Sequence, residues 1–248
     1  MRCVSDNDDS TVYQGSHLDL RPRVGNAQSI SNPHYDDSYF AWQSSGGQFV
    51  ANLERWKFVP FVRSGDVVLD FGCGGGYILA GLACKERYGV EVNPVARIQS
   101  ARLVKVEATV DDLPGEVAFD VIISHHALEH VDNPLFQLEQ LKSRLKPGGK
   151  MVFVIPSELW PKQRVYRPGD INQHLYTWTP LSLGNLFVRA GLVVECAELL
   201  RHRILPKAAM LYRWMPDSVF HFCCRAWAQV TWTRQIRIVA SRPAEANS

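Results

Sequence analysis

The 248-residue chain contains no uninterrupted apolar run of the ~18 residues that a membrane-spanning helix needs. It also lacks a cysteine framework. Cys3, Cys73, Cys84, Cys196, Cys223 and Cys224 show no CxxC spacing, so they read as reduced thiols of a cytosolic protein. The opening MRCVSDNDDS has no apolar core and does not read as a signal peptide. There is no internal repeat and no low-complexity tract. Charge of either sign is not in excess, since the net value is +2, but it is unevenly spread. Between Leu199 and Arg242 stand eight basic residues (Arg201, Arg203, Lys207, Arg213, Arg225, Arg234, Arg237, Arg242) against one acid, Asp217. The first forty residues lean acidic, with Asp6, Asp8, Asp9, Asp19, Asp36 and Asp37. Such asymmetry marks a solvated face or a side that meets an anionic partner.

What is present is an alternation of strands and helices. Residues 1–32 are polar and read as a loosely attached segment. Aromatic residues then recur over 35–61, which suggests a helical cap on a domain spanning 33–243. Apolar runs predict strands at Val67–Asp70, Tyr88–Val92, Val104–Ala108, Phe119–Ile123, Met151–Ile155, Leu192–Leu199 and Gln235–Ala240. Tyr77–Lys85 reads as a helix. Asn93-Pro94, Asn133-Pro134 and Thr179-Pro180 each place a capping side chain before a proline at the first helical position. The expected fold is α/β: a Rossmann-like, doubly wound sheet of about seven mostly parallel strands with helices on both faces.

The segment with most chemical content is Val68-Leu69-Asp70-Phe71-Gly72-Cys73-Gly74-Gly75-Gly76-Tyr77. A strand ends at an acid, a glycine turn follows, and a helix begins. Such a turn commonly holds a dinucleotide pyrophosphate on a helix N-terminus. Here Asp70 would repel a pyrophosphate, and Tyr77 replaces the third glycine of G-x-G-x-x-G. A ligand with a cationic end and no phosphate suits the loop better, and S-adenosylmethionine has that character. Glu91, 21 residues after Asp70, stands where an acid can accept hydrogen bonds from ribose hydroxyls.

These residues resemble a known family. VLDFGCGGGYIL is similar to motif I of class I S-adenosylmethionine-dependent methyltransferases, and GVEVNP to their ribose-binding motif. FDVIISHHALEHVDNP and LKPGGKMVFVIP resemble the fourth- and fifth-strand motifs. The resemblance implies that Asp70 and Gly72 lie near the methionine end of the cofactor, that Gly74 faces it with its backbone and Cys73 joins the binding loop, and that Glu91 holds its ribose. It places Val110 and Asp111 at the adenine edge, with Thr109 where an acid is often seen. Ser124 and His125 would border the transferring methyl group. YFAWQSSGGQF, KFVPF and DINQHLYTWTP are similar to methyltransferases of bacterial surface-polysaccharide synthesis, which implies a sugar or other small-molecule hydroxyl as acceptor.

Removing a hydroxyl proton calls for a base, and His174 and His130 are the candidates. Each could equally be a histidine satisfied by local hydrogen bonds. No metal is expected, since no cysteine pair supports a zinc site and the histidines are not read as an H-x-x-x-H frame. Residues 205–232, rich in aromatic and basic side chains, read as a helical insertion packed on the domain or on a second subunit. A sharper alternative is a surface for an anionic, lipid-linked glycan on the inner face of the membrane. Nucleic acid is disfavoured, because there is no dedicated RNA-binding module and no Asn/Asp-Pro-Pro-Tyr motif after strand four. An RNA or protein methyltransferase, and a catalytically silent cofactor-binding module, remain the rivals. The sequence does not fix the oligomeric state.

Overall fold

The computed structural model describes residues 47–159, 161–166, 170 and 172–244. The segment 1–32, expected to be loosely attached, and the first part of the expected cap, 35–46, lie outside the described residues. The cap continues as α1 (Gly47–Glu54) and two short 3-10 turns, Arg55–Lys57 and Val59–Phe61.

Seven strands follow: β1 (Val67–Phe71), β2 (Glu86–Val90), β3 (Lys105–Glu107), β4 (Phe119–His125), β5 (Leu145–Pro156), β6 (Val193–Leu200) and β7 (Gln235–Ser241). They form one sheet in the order β3-β2-β1-β4-β5-β7-β6. The first five pair in parallel, whereas β7 runs antiparallel to both β5 and β6. The helices are α2 (Tyr77–Ala80), α3 (Pro94–Ser100), α4 (Pro134–Ser143), α5 (Pro180–Arg189), α6 (Ala208–Tyr212) and α7 (Asp217–Val230).

The strand sequences show why the sheet is buried on both faces. Side chains alternate between faces along a strand, and here both alternants are apolar. Leu69, Ile122 and Phe153 join one core layer, while Val68, Val121, Ile123, Val152 and Val154 join the other. The predicted caps are formed. Asn93 Oδ1 accepts from the N–H groups of Val95 and Ala96 at 2.9 and 3.1 Å, and Asn133 Oδ1 from Phe136 at 3.1 Å. Thr179 and Ser182 form a reciprocal capping box at the start of α5.

Several boundaries differ from expectation. The helix predicted over Tyr77–Lys85 is a single turn. The Gly81 N–H turns back to Ile78 O, and the Arg87 guanidinium takes the carbonyls of Leu79 and Leu82. β2 ends at Val90, so Glu91 lies just beyond it, and β4 runs on through Ser124 and His125. β5 starts at Leu145, six residues before the predicted Met151, and so takes in Lys146–Gly149.

Within 205–232 lie two helices, α6 and α7. α7 buries Phe220, Cys224 and Ala228, which fall at i, i+4 and i+8 on one face. Phe220 and Cys224 pack with Leu53 of α1 and Ala208 of α6.

Candidate cofactor and acceptor site

The site lies where the sheet order reverses. β1 sits between β2 and β4, and ligands of open α/β sheets bind at the carboxyl ends of strands beside such a reversal. Directly after β1, Gly72, Gly74 and Gly76 take positive φ values of 74°, 52° and 74°. Their roles differ. A Cβ on Gly72 would stand 2.3 Å from Ala127 Cβ, so this glycine lets the loop pass the β4 loop. A Cβ on Gly74 would meet nothing within 4 Å, which leaves its outer face free for a ligand.

A cavity of about 210 Å³ opens there, lined in part by Glu54, Asp70, Gly72, Gly74, Tyr77 and His125. Asp70 is buried, and its carboxyl is pushed up to about 8, first by burial and then by the charge of Glu91. A buried carboxyl of that kind welcomes a cationic ligand and opposes a phosphate. Glu91 accepts the Gly74 N–H at 2.7 Å and the Asn93 N–H at 2.8 Å, one on each oxygen. It ties the glycine loop to the start of α3. Burial raises its carboxyl, and these bonds offset that only in part.

The remaining expected cofactor residues divide. His125 lines the cavity, and burial followed by the Lys57 charge holds its ring well below the usual histidine range. Cys73 also lines it, but its thiol packs against Gly89 and is pushed up by burial. Ser124 does not present its hydroxyl to the cavity: its Oγ donates to Phe71 O at 2.8 Å and is fully buried. Val110 is part of the core beneath the sheet edge. Asp111 is exposed and accepts from the Gln140 amide at 3.2 Å.

The sequence reading missed Glu54, Lys57, His202 and His221. Lys57 is fully buried, in contact with Glu54 Oε2, and donates to Gln235 Oε1 at 2.6 Å. It also lies 3.2 Å from His125 Nε2. Burial and then Arg237 hold its ammonium down at about 7, while the adjoining Glu54 carboxylate pulls the other way. The chain of contacts continues outward. Glu54 Oε1 meets His202 Nδ1 at 3.1 Å, and His202 Nε2 meets His221 Nδ1 at 2.9 Å. Only the i, i+3 spacing of Glu54 and Lys57 on a helical segment could have signalled any of this.

A second polar cluster lies after β4. His130 and His174 do not line the cavity, but their rings pack edge to face with centroids 4.9 Å apart. Both are held below the usual range by burial, partly opposed by Glu129. The 3-10 turn Leu128–His130 sets Glu129 inward, fully buried between them. Leu175 and Tyr176 donate their N–H groups to Glu129 O at 2.9 and 3.3 Å, which fixes His174 in place.

Residues 48–197, more than half of the chain, match the family described as a methyltransferase domain. The chain belongs to this methyltransferase family. S-adenosylmethionine is the cofactor the family implies, and the acidic, phosphate-averse loop fits it.

Among relatives, the methyltransferase is 36% identical over 120 residues to a ubiquinone biosynthesis O-methyltransferase of Cereibacter sphaeroides, covering 42% of this chain and 47% of that one. It is 31% identical over 170 residues to a tRNA U34 carboxymethyltransferase of Aeromonas salmonicida, covering 55% of this chain and 52% of that one. The chain thus spans about half the length of the curated relatives it matches. A solved S-adenosylmethionine-dependent methyltransferase from Archaeoglobus fulgidus superposes with a TM-score of 0.60 at 17% identity, covering 83% of this chain and all of that one. That likeness shows the fold, as the sequence predicted. Neither named relative is described as acting on polysaccharide.

Proposed function

We propose that this protein transfers the methyl group of S-adenosylmethionine to a hydroxyl of a sugar or another small molecule. The observation that carries the cofactor half is the buried Asp70 carboxyl beside the open face of Gly74. The sulfonium and ammonium groups would restore the Asp70 charge there, and Glu91 would turn its remaining lone pairs to the ribose. Methyl transfer then needs alignment of an acceptor oxygen and exclusion of water more than new covalent chemistry. His174 and His130 are the proposed groups that meet the acceptor hydroxyl, at the sheet edge beyond His125.

Support for a hydroxyl acceptor comes from the O-methyltransferase relative, and for a sugar from the resemblance in DINQHLYTWTP. The Tyr39–Gly46 part of the other motif lies outside the described residues. The tRNA-modifying relative favours RNA as a second reading. Against it, half of the C-terminal basic residues are committed internally. Arg203 donates to Thr233 Oγ1, Arg234 to Ala228 O, Arg237 to Glu198 and Arg242 to Leu145 O.

No helix among the described residues is long and apolar enough to cross a membrane. A cytoplasmic location is proposed, with peripheral membrane contact through the exposed Trp214, Phe222, Val230 and Trp232.

The test is methyl transfer from radiolabelled S-adenosylmethionine to parallel panels of nucleotide-sugars, glycans and unmodified tRNA. Label in a carbohydrate supports the proposal. Label in tRNA alone moves the function to RNA, and binding of the cofactor without transfer to any panel leaves a silent binding module.

A further inference from the structure

Glu129 is fully buried, and neither carboxylate oxygen has a well-formed hydrogen bond among the described residues; the nearest donor is His126 Nδ1, 3.4 Å from Oε1. A buried carboxylate left in that condition is costly unless something cationic completes it. The groups around it are imidazoles. Glu129, His130 and His174 each offer one ligand atom, and these atoms all lie within 4.8 Å of one another. His174 Nε2 is 3.9 Å from Glu129 Oε1.

We propose that Glu129, His130 and His174 bind a divalent transition-metal ion of the zinc class beside the acceptor position. The inference rests on the methyl-transfer reading for its purpose, and replaces the expectation of no metal.

The chemistry of the donor set fits. Two imidazoles and one carboxylate are a common protein ligand set for catalytic zinc, with the fourth tetrahedral position left to water or substrate. Bonds of about 2.0–2.1 Å put tetrahedral ligand atoms roughly 3.3 Å apart. From within 4.8 Å of one another the ligand atoms would have to draw closer to reach that spacing, on a backbone that is already held. The Leu175 and Tyr176 N–H groups hold Glu129 O, and the Tyr176 hydroxyl donates to Asp132 O at 2.9 Å.

His126 completes the arrangement from behind. It stands four residues before His130, a spacing the sequence reading passed over. The segment between them ends in a 3-10 turn, so the two rings do not share an α-helical face. His126 has a left-handed backbone, with φ 59°, which is costly for a residue with a Cβ. Gln235 Oε1 takes the Lys57 ammonium, so its amide nitrogen faces His126 Nε2 at 3.1 Å. That assigns the proton of His126 to Nδ1, which lies 3.4 Å from Glu129 Oε1. His126 is therefore a positioning residue that orients the carboxylate, as partners behind metal ligands do.

An ion here would hold the acceptor oxygen and lower the pKa of its hydroxyl. The hydroxyl proton leaves to water. The oxygen then forms its bond to the methyl carbon as the carbon–sulfur bond breaks, and that electron pair returns to sulfur. His130 and His174 would act as ligands in this scheme, with no free base required of either.

The experiment is calorimetric titration of chelator-treated full-length protein with zinc chloride, and separately with manganese chloride. Metal content by mass spectrometry, and S-adenosylmethionine binding on the same samples, complete it. One equivalent of micromolar or tighter metal is expected, with at least about 100-fold weaker binding in both Glu129→Gln and His174→Ala. His126→Ala should weaken it by about 10- to 100-fold. Thiolate scavenging would not respond to Glu129→Gln, so equal binding by wild type and that variant overturns the proposal. So does the absence of stoichiometric metal on wild type that binds S-adenosylmethionine. Variants that retain cofactor binding are folded. A wild type that binds metal but not the cofactor instead sinks the methyl-transfer reading and leaves the metal site standing.

Discussion

The Lys57 ammonium nitrogen lies 3.2 Å from Nε2 of His125, and the histidine forms part of the cofactor cavity wall. While Lys57 carries its proton the ammonium can only donate, so His125 Nε2 then accepts and holds its own proton on Nδ1. A fully buried lysine thus sets the tautomer of a cavity histidine while Glu54 balances its charge.

Removing one partner of a buried ion pair leaves the other charge uncompensated. Lys57→Met is expected to destabilise the protein by about 3–5 kcal/mol. Most of that should return in Lys57→Met combined with Glu54→Leu, because an apolar pair of similar size avoids the desolvation cost. Chemical denaturation of wild type, both single variants and the double variant measures the coupling. Additive losses would show that the two residues act independently.

Gly72 and Gly74 separate packing from ligand approach. Gly72→Ala drives a methyl group into Ala127 and adds left-handed strain, so a loss of about 2–4 kcal/mol is expected, with the melting temperature falling accordingly. Gly74→Ala meets no atom and should cost only about 1 kcal/mol. Its effect belongs to the cofactor instead, with affinity reduced at least tenfold, equivalent to about 1.4 kcal/mol. Melting curves and cofactor titration on the two variants decide. Unchanged affinity in Gly74→Ala would mean the ligand does not approach that face.

Much of the frame was legible because local rules and tertiary packing agree. Asn93, Asn133 and Thr179 announce their helices, and the double-sided apolar strands announce a covered parallel sheet. The short α2 was not legible, since the carbonyls that end it are taken by Arg87 from the next strand. Asp70 and Glu91 could be found because a glycine loop marks their place. The Glu54–Lys57–His202–His221 chain could not, because Glu54 and His202 stand 148 residues apart and meet only after the insertion folds against α1. Ser124 illustrates a limit of motif transfer. Its position matches, yet its hydroxyl is committed to Phe71 O.

The C-terminal insertion makes its own prediction. One face of α7 is buried, while Val219, Phe222 and Val230 remain exposed on the helix and Trp232 follows it. The nearby Arg201, Lys207, Arg213 and Arg225 are exposed and suit anionic headgroups. Wild-type protein should float with vesicles containing phosphatidylserine and much less with phosphatidylcholine alone. Phe222→Ser with Trp232→Ser should abolish flotation without shifting the melting temperature by more than about 2 °C, since neither side chain is in the core. Equal flotation of wild type and variant would remove the membrane from the function.

Asp70 ties cofactor binding to pH. Its carboxyl, raised to about 8 by burial and the Glu91 charge, carries a proton at pH 7, whereas the unfolded chain would hold it ionised above its ordinary value of about 3.9. Between those values the folded protein binds more protons than the unfolded one, so this group's contribution to stability falls as pH rises from about 4 through about 8. A cationic ligand reverses the preference by favouring the carboxylate. S-adenosylmethionine binding at pH 7 should therefore release up to one proton, and affinity should rise with pH by at most tenfold per unit before levelling above about 8. Calorimetry in buffers of different ionisation enthalpy reads the proton count directly. Asp70→Asn keeps the shape and removes the titration, so binding should weaken and its pH slope should vanish. A wild type that releases no proton, or a variant that keeps the slope, would assign the pH dependence to another group and leave Asp70 without its proposed contact to the cationic end of the cofactor.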